Sequence, residues 1–95
     1  AIHRITQRET TVGRSAEADF TVRDNKVSSK HFMIRVNGSL FSLVDLGSTN
    51  GTILNENQIS KKAPARLKNF DEIRAGKTRF LFIANRFRTE TNPGT

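Results

Sequence analysis

Ninety-five residues fit one domain, long enough to bury a real core but not two. With no cysteine, a disulfide framework, a thiolate metal site and a cysteine nucleophile are all excluded. The formal net charge of +7 favours anionic partners: nucleic acid, acidic lipid or phosphorylated protein. No apolar run approaches the roughly 18 residues of a membrane span, and no signal-peptide pattern is seen. The chain opens on Ala1 rather than Met, as expected of a domain cut from a longer protein. The sixteen Lys and Arg are scattered from Arg4 to Arg88, with no basic block longer than Lys61-Lys62. Such scatter suits solubility and mild steering better than a nucleic-acid footprint.

Taken in chain order, the periodicity is that of β structure. Short apolar segments predict strands over Thr10–Val12, Phe20–Val22, His31–Val36, Leu40–Leu46, Thr52–Leu54, Glu72–Arg74 and Thr78–Ala84. Phe32, Ile34 and Val36 alternate with Met33 and Arg35, the pattern of a half-buried strand. Asn37-Gly38 is a hairpin signal between two of these runs. The run from Phe80 to Ala84 is uniformly apolar, which predicts a central or sandwich-core strand. No window shows a helical stripe. Many short strands at close spacing predict a sandwich or barrel. Residues 89–95, with Asn92-Pro93-Gly94, read as a flexible C-terminal tail or linker after a domain spanning 1–88.

Three polar clusters interrupt the pattern, each at the end of an expected strand. Gly13-Arg14-Ser15 alone is a turn with a surface arginine. Ser28-Ser29-Lys30-His31 alone is a loop leading into a strand, its histidine satisfied locally. Ser48-Thr49-Asn50-Gly51 alone reads as an ordinary Asn-Gly hairpin. Together they make chemical sense. An Arg guanidinium grips phosphate through two parallel hydrogen bonds, hydroxyls complete the oxygen shell, and an Asn amide pairs with an extended peptide backbone.

Gly13-Arg14, then Ser28-x-x-His31, then Thr49-Asn50-Gly51, in this order and spacing, resemble the forkhead-associated (FHA) domain. The resemblance continues through Asp45-Leu46, Ile53-Leu54-Asn55 and Asp71-Glu72-Ile73…Gly76, covering roughly residues 4 to 86. It implies a β-sandwich of about eleven short, mostly antiparallel strands, with loops at one end that bind phosphothreonine peptides and no enzymatic activity. By this resemblance Arg14, Ser28, Ser29 and Thr49 meet the phosphate, and Asn50 bonds the peptide main chain. Lys26 helps select the residue third after the phosphothreonine, and Gly13, His31 and Gly51 are architectural. One departure stands out. The family usually has glycine where this chain has Phe70, which puts local turn geometry in question rather than binding.

Other classes fare less well. Ser28, His31 and Asp45 could be imagined as a hydrolase trio, but Ser28 is not in a Gly-x-Ser-x-Gly elbow. His3 and His31 are the only histidines and no acidic cluster accompanies them, so no metal or other cofactor is expected. A single-strand nucleic-acid binder needs exposed aromatics. This chain has no Trp or Tyr, and most of its seven Phe sit inside strand runs. A third alternative is an FHA fold used as a phospho-independent docking module. The expectation is a monomeric, intracellular (cytoplasmic or nuclear) signalling module whose partner is a phosphothreonine-containing protein, with neither nucleic acid nor membrane as ligand.

Overall fold

The computed structural model describes residues 2–84. They form nine strands in two sheets, with no helix among the described residues: β1 (Glu9–Gly13), β2 (Phe20–Thr21), β3 (Phe32–Asn37), β4 (Leu40–Asp45), β5 (Thr52–Leu54), β6 (Asn57–Gln58), β7 (Ala65–Leu67), β8 (Glu72–Ala75) and β9 (Thr78–Leu81). One sheet has the order β2-β1-β3-β4-β7, the other β6-β5-β8-β9. All pairings are antiparallel except β1 with β2. The expected eleven strands are therefore nine among the described residues. The expected tail from residue 89 lies outside them.

Alternation explains the main sheet. Phe32 and Ile34 point inward and are buried, and in register they meet Val12 and Thr10 of β1 on one side and Asp45 and Leu43 of β4 on the other. Met33 lies on the other face yet is also covered, between Thr11 and Val44 of the flanking strands. The Gly38-Ser39 turn joins β3 to β4, so that hairpin forms as its sequence predicts. The inner faces meet in a core of Val12, Phe32, Ile34, Leu43 and Leu67 against Ile73, Ala75 and Phe82. Edge-to-face rings link the layers: Phe32 with Phe80 at 5.3 Å and Phe41 with Phe82 at 5.1 Å. Each buried Phe adds about 1.5–3 kcal/mol by leaving water, and each ring pair roughly 1 kcal/mol more.

The strand reading needs correction at the run from Phe80 and at two strands it did not anticipate. The apolar run from Phe80 is not a central strand. β9 ends at Leu81 and lies at the edge of its sheet, with Phe82 turned in while Leu81 and Ile83 are 62% and 57% exposed. A run of consecutive apolar residues hides an alternation that only packing on one face reveals. β6 and β7 carry too few apolar residues for periodicity to register them; the Asn55-Glu56 turn before β6, with φ of 49° and 74°, is built by local conformation instead. The bland reading of Asn50-Gly51 taken alone, a hairpin, does not hold either. β4 and β5 belong to different sheets, so this stretch carries the chain across the sandwich.

Among the described residues no helix is long and apolar enough to cross a membrane.

Candidate functional site

β1 and β4 both run antiparallel to their neighbour β3, so the end of β1, the start of β3 and the end of β4 share one edge of the sheet. The three polar clusters emerge there. Backbone bonds extend the sheet into them: His31 N–H donates to the Val12 carbonyl and Leu46 N–H to the His31 carbonyl, both at 2.9 Å. Arg14 N–H donates to Ser28 O at 2.9 Å and Ser15 N–H to Ser29 O at 3.1 Å, laying the first cluster along the second.

Gly13 permits that approach. A Cβ there would sit 2.1 Å from the Ser29 carbonyl oxygen, and a backbone atom cannot move aside as a flexible side chain could. Gly51 is required for a different reason, since its φ of 87° is left-handed.

His31 joins the second and third clusters. It is completely buried, its Nδ1 accepts from Ser28 N–H at 3.0 Å, and its Nε2 lies 2.7 Å from the Gly51 carbonyl oxygen. An amide N–H can only donate and a carbonyl can only accept, so the ring is the Nε2–H tautomer. The bonds continue as a ring. Gly51 N–H donates to Ser48 Oγ at 3.0 Å, and Thr49 N–H donates to Ser28 Oγ at 3.0 Å.

Beneath this ring lies Asp45, 5% exposed. Its Oδ1 accepts from the hydroxyls of Ser48 and Thr52, both at 2.6 Å, and its Oδ2 from the N–H groups of Gly47 and Ser48. Burial alone would push its carboxyl up. The Ser48 and Thr52 hydroxyls and the two amides outweigh that and hold it below the ordinary 3.8. Ser48 is accordingly buried, its hydroxyl engaged on both sides. It is a structural residue rather than one that faces a ligand.

What remains exposed on this edge is a set of unengaged donors. Arg14 gives its Nε–H to the Val27 carbonyl at 2.9 Å, which fixes the plane of the guanidinium and leaves both Nη groups to reach outward. Ser28 Oγ accepts from Thr49, so its own hydrogen is available to donate. The Ser29 and Thr49 hydroxyls have no partner among the described residues, and both residues are exposed. Asn50 donates through Nδ2 to the Lys26 carbonyl at 2.9 Å. That bond fixes the amide's orientation and leaves Oδ1 and one N–H without a partner among the described residues. The Lys26 side chain is exposed on the same rim.

Sequence reasoning missed Asp24. Its Oδ1 accepts from Lys26 N–H at 2.8 Å, and its Oδ2 from Lys77 N–H and the Thr78 hydroxyl, tying the Lys26 loop to the β8–β9 turn. The Thr78 hydroxyl first, then the Lys26 and Lys77 amides, hold its carboxyl below the ordinary range. An Asp two residues before Lys26, placed to cap the turn that carries it, is the signal that could have revealed it.

The imagined hydrolase trio does not assemble as one. Both His31 nitrogens are engaged by backbone groups, and Asp45 bonds Ser48, Thr52 and Gly47 rather than the imidazole. Among the described residues, no cluster of His, Asp and Glu is gathered that could hold a metal ion. Of the aromatics, Phe32 and Phe82 are buried, Phe20, Phe41 and Phe80 pack against the core, and Phe70 is 68% exposed. Among the described residues, these rings form no exposed stacking platform for bases.

Residues 10–76 match the FHA domain family model, and the chain belongs to that family. It is 40% identical over 78 residues to the oxoglutarate dehydrogenase inhibitor of Corynebacterium efficiens, covering 82% of this chain and 53% of that protein. It is 38% identical over 77 residues to the glycogen accumulation regulator GarA of Mycolicibacterium smegmatis, covering 81% of this chain and 47% of that one. The chain thus spans about half the length of the curated relatives it matches. Among solved structures it superposes on one from a study of phosphothreonine-dependent FHA domain interactions, with a TM-score of 0.83 and 29% identity over 90% of this chain and 85% of that one. It also resembles the N-terminal FHA domain of S. cerevisiae Rad53p in complex with a phosphothreonine peptide, with a TM-score of 0.67 and 34% identity over 72% and 56% of the respective chains.

Proposed function

We propose that this chain is a phosphothreonine-peptide-binding module that couples a kinase's mark to a protein–protein contact, and that it binds rather than catalyses. The observation that carries the reading is the pre-set group of donors on one edge of the sandwich. Arg14 is oriented by the Val27 carbonyl, the Ser28 hydroxyl by the Thr49 amide and the Asn50 side chain by the Lys26 carbonyl. Donors fixed before the ligand arrives do not have to be ordered on binding, so more of each bond appears as affinity.

In this reading the Arg14 Nη groups fork two phosphate oxygens, and the Ser28 hydroxyl donates to a third region of the anion, with Ser29 and Thr49 beside it. Asn50 takes the peptide backbone through Oδ1 and its remaining N–H. Lys26 faces a side chain beyond the phosphothreonine and favours an acidic one there. Gly13, His31 and Gly51 hold the loops in place. Because the relatives are an inhibitor and a regulator about twice as long, the parent protein is proposed to be an intracellular regulator that docks a phosphorylated partner through this domain. A pull-down from a phosphothreonine peptide library, with the unphosphorylated library as control, tests the reading. Enrichment of phosphorylated peptides alone is expected; equal recovery from both libraries would overturn it.

A further inference from the structure

Lys61 belongs to none of the three clusters, yet its ammonium meets the third of them. Its Nζ donates to the Ser48 carbonyl at 2.6 Å. That carbonyl and the Thr49 N–H are the two ends of a single peptide unit, and the Thr49 N–H faces Ser28 Oγ. Since a trans peptide directs its C=O and N–H oppositely, Lys61 and Ser28 flank the Thr49 peptide from either side. The loop that delivers Lys61 is itself anchored. Ile59 N–H donates to the Thr52 carbonyl at 2.9 Å, the Ile59 side chain packs against the core, and Lys62 N–H donates to Ser60 Oγ.

A lysine on a backbone carbonyl can be a plain brace, but a brace uses one of three N–H donors and does not neutralise the charge. Here the charge has no internal counterpart. The ion pairs among the described residues are Arg35 with Glu9 and Arg79 with Glu72, and neither involves Lys61. The nearby carboxylate, Asp45, is buried and fully engaged by Ser48, Thr52 and Gly47. Lys61 is exposed, so its two remaining N–H donors and its positive charge are open to solvent beside the turn that carries Thr49 and Asn50. The Lys26 carbonyl accepts from the Asn50 side chain of that same turn.

We infer that Lys61 is a specificity-determining residue of the peptide site. It selects an acidic side chain on the flank of the phosphothreonine that crosses the Thr49–Asn50 turn, separately from the position read by Lys26. The inference rests on the phosphopeptide reading above and extends it from one acidic position to two.

The test is a phosphothreonine peptide in which a single Glu is walked through the flanking positions, titrated into wild type, Lys61→Met and Lys26→Met. Wild type should show a position where Glu tightens binding by about threefold, the size of a partly solvated charge pair, shrinking at high salt. Lys61→Met should lose that preference while Lys26→Met keeps it, and Lys61→Arg should restore it. An unchanged Glu profile in Lys61→Met, or a uniform weakening of every peptide, would overturn the assignment and leave Lys61 a brace. Failure of wild type to bind any phosphopeptide would instead overturn the underlying reading, and this one with it.

Discussion

His31 Nε2 lies 2.7 Å from the carbonyl oxygen of Gly51, a contact that closes the gap between two loops twenty residues apart in sequence. The same ring accepts from Ser28 N–H, so one buried side chain fixes both the residue that offers a hydroxyl and the turn that presents Asn50. Replacing it with alanine removes two hydrogen bonds, leaves a buried N–H and C=O unpaired, and opens a cavity. His31→Ala should lose about 2–4 kcal/mol of stability. Phosphopeptide affinity should fall even at temperatures where the variant is folded. Chemical denaturation paired with peptide titration would check both; wild-type affinity in a destabilised but folded variant would mean the loops hold their shape without the brace.

Phe70 has a φ of 72° and is 68% exposed. Its N–H donates to the Phe82 carbonyl at 2.7 Å, a bond any residue can make. A side-chain-bearing residue in the left-handed region costs about 1–2 kcal/mol, while glycine's extra freedom in the unfolded chain costs about 0.5–1 kcal/mol. Phe70→Gly should therefore be neutral to stabilising, raising the melting temperature by up to a few degrees. A clear drop in a thermal melt would show that the Phe70 ring contributes packing its exposure does not suggest.

Acid should act on the scaffold through three carboxylates. Asp45, Asp24 and Asp19 all sit below the ordinary 3.8 in the folded protein. For Asp19 the cause is first the Thr11 N–H and then its hydroxyl. A carboxylate lowered by folding contributes stability that is complete above its unfolded value and lost as pH falls through the folded one. Stability measured by urea unfolding should be nearly flat with respect to these groups above about pH 5 and decline below about pH 4. Asp45→Asn should be less stable at neutral pH and show a shallower acid decline. The same slope in wild type and variant would argue against Asp45 as a contributor.

Discrimination between phosphothreonine and phosphoserine should be modest unless the site closes around the methyl group. Burying one methyl contributes about 0.8 kcal/mol, or about fourfold. Threonine's stiffer χ1 adds a few tenths of a kcal/mol. A matched peptide pair should therefore differ by about fourfold to tenfold. A preference near a hundredfold would require a dry pocket between Ser28 and Thr49, in which phosphoserine leaves an unfilled void. Equal affinities would mean the site reads charge alone.

The sequence made the strands readable where apolar residues recur at every second position, as at Phe32, Ile34 and Val36. It did so less well where the pattern is saturated, as at Phe80–Ala84, or nearly absent, as at Asn57–Gln58 and Ala65–Leu67. Position in the site was harder. Arg14, Ser28 and Asn50 lie far apart in the chain, and only the family resemblance grouped them; the structure brings them to one edge through Gly13's close contact and the His31 bridge. Orientation was not legible at all. Ser48, Thr49 and Asn50 look equivalent as polar turn residues, yet Ser48 points inward to Asp45 while the others are exposed. Which way a hydroxyl turns depends on a carboxylate three residues earlier, and composition does not encode that. Phe70 is the opposite case: the departure from glycine put local turn geometry in question, and the structure holds the residue at a left-handed φ of 72°.

The central claim is that Arg14 is the phosphate-gripping residue of a phosphothreonine site, and calorimetric titration of one phosphothreonine peptide into wild type and Arg14→Ala tests it most directly. Charge-assisted hydrogen bonds contribute about 1.5–3 kcal/mol each, so losing the forked pair should weaken binding by well over tenfold. The fold should stay intact, because Arg14 is exposed, its backbone bond to Ser28 does not depend on the side chain, and its guanidinium has one internal bond among the described residues, to the Val27 carbonyl. The account predicts measurable binding to wild type, none to the unphosphorylated peptide, and near loss in Arg14→Ala. Wild-type affinity in a folded Arg14→Ala variant would contradict it.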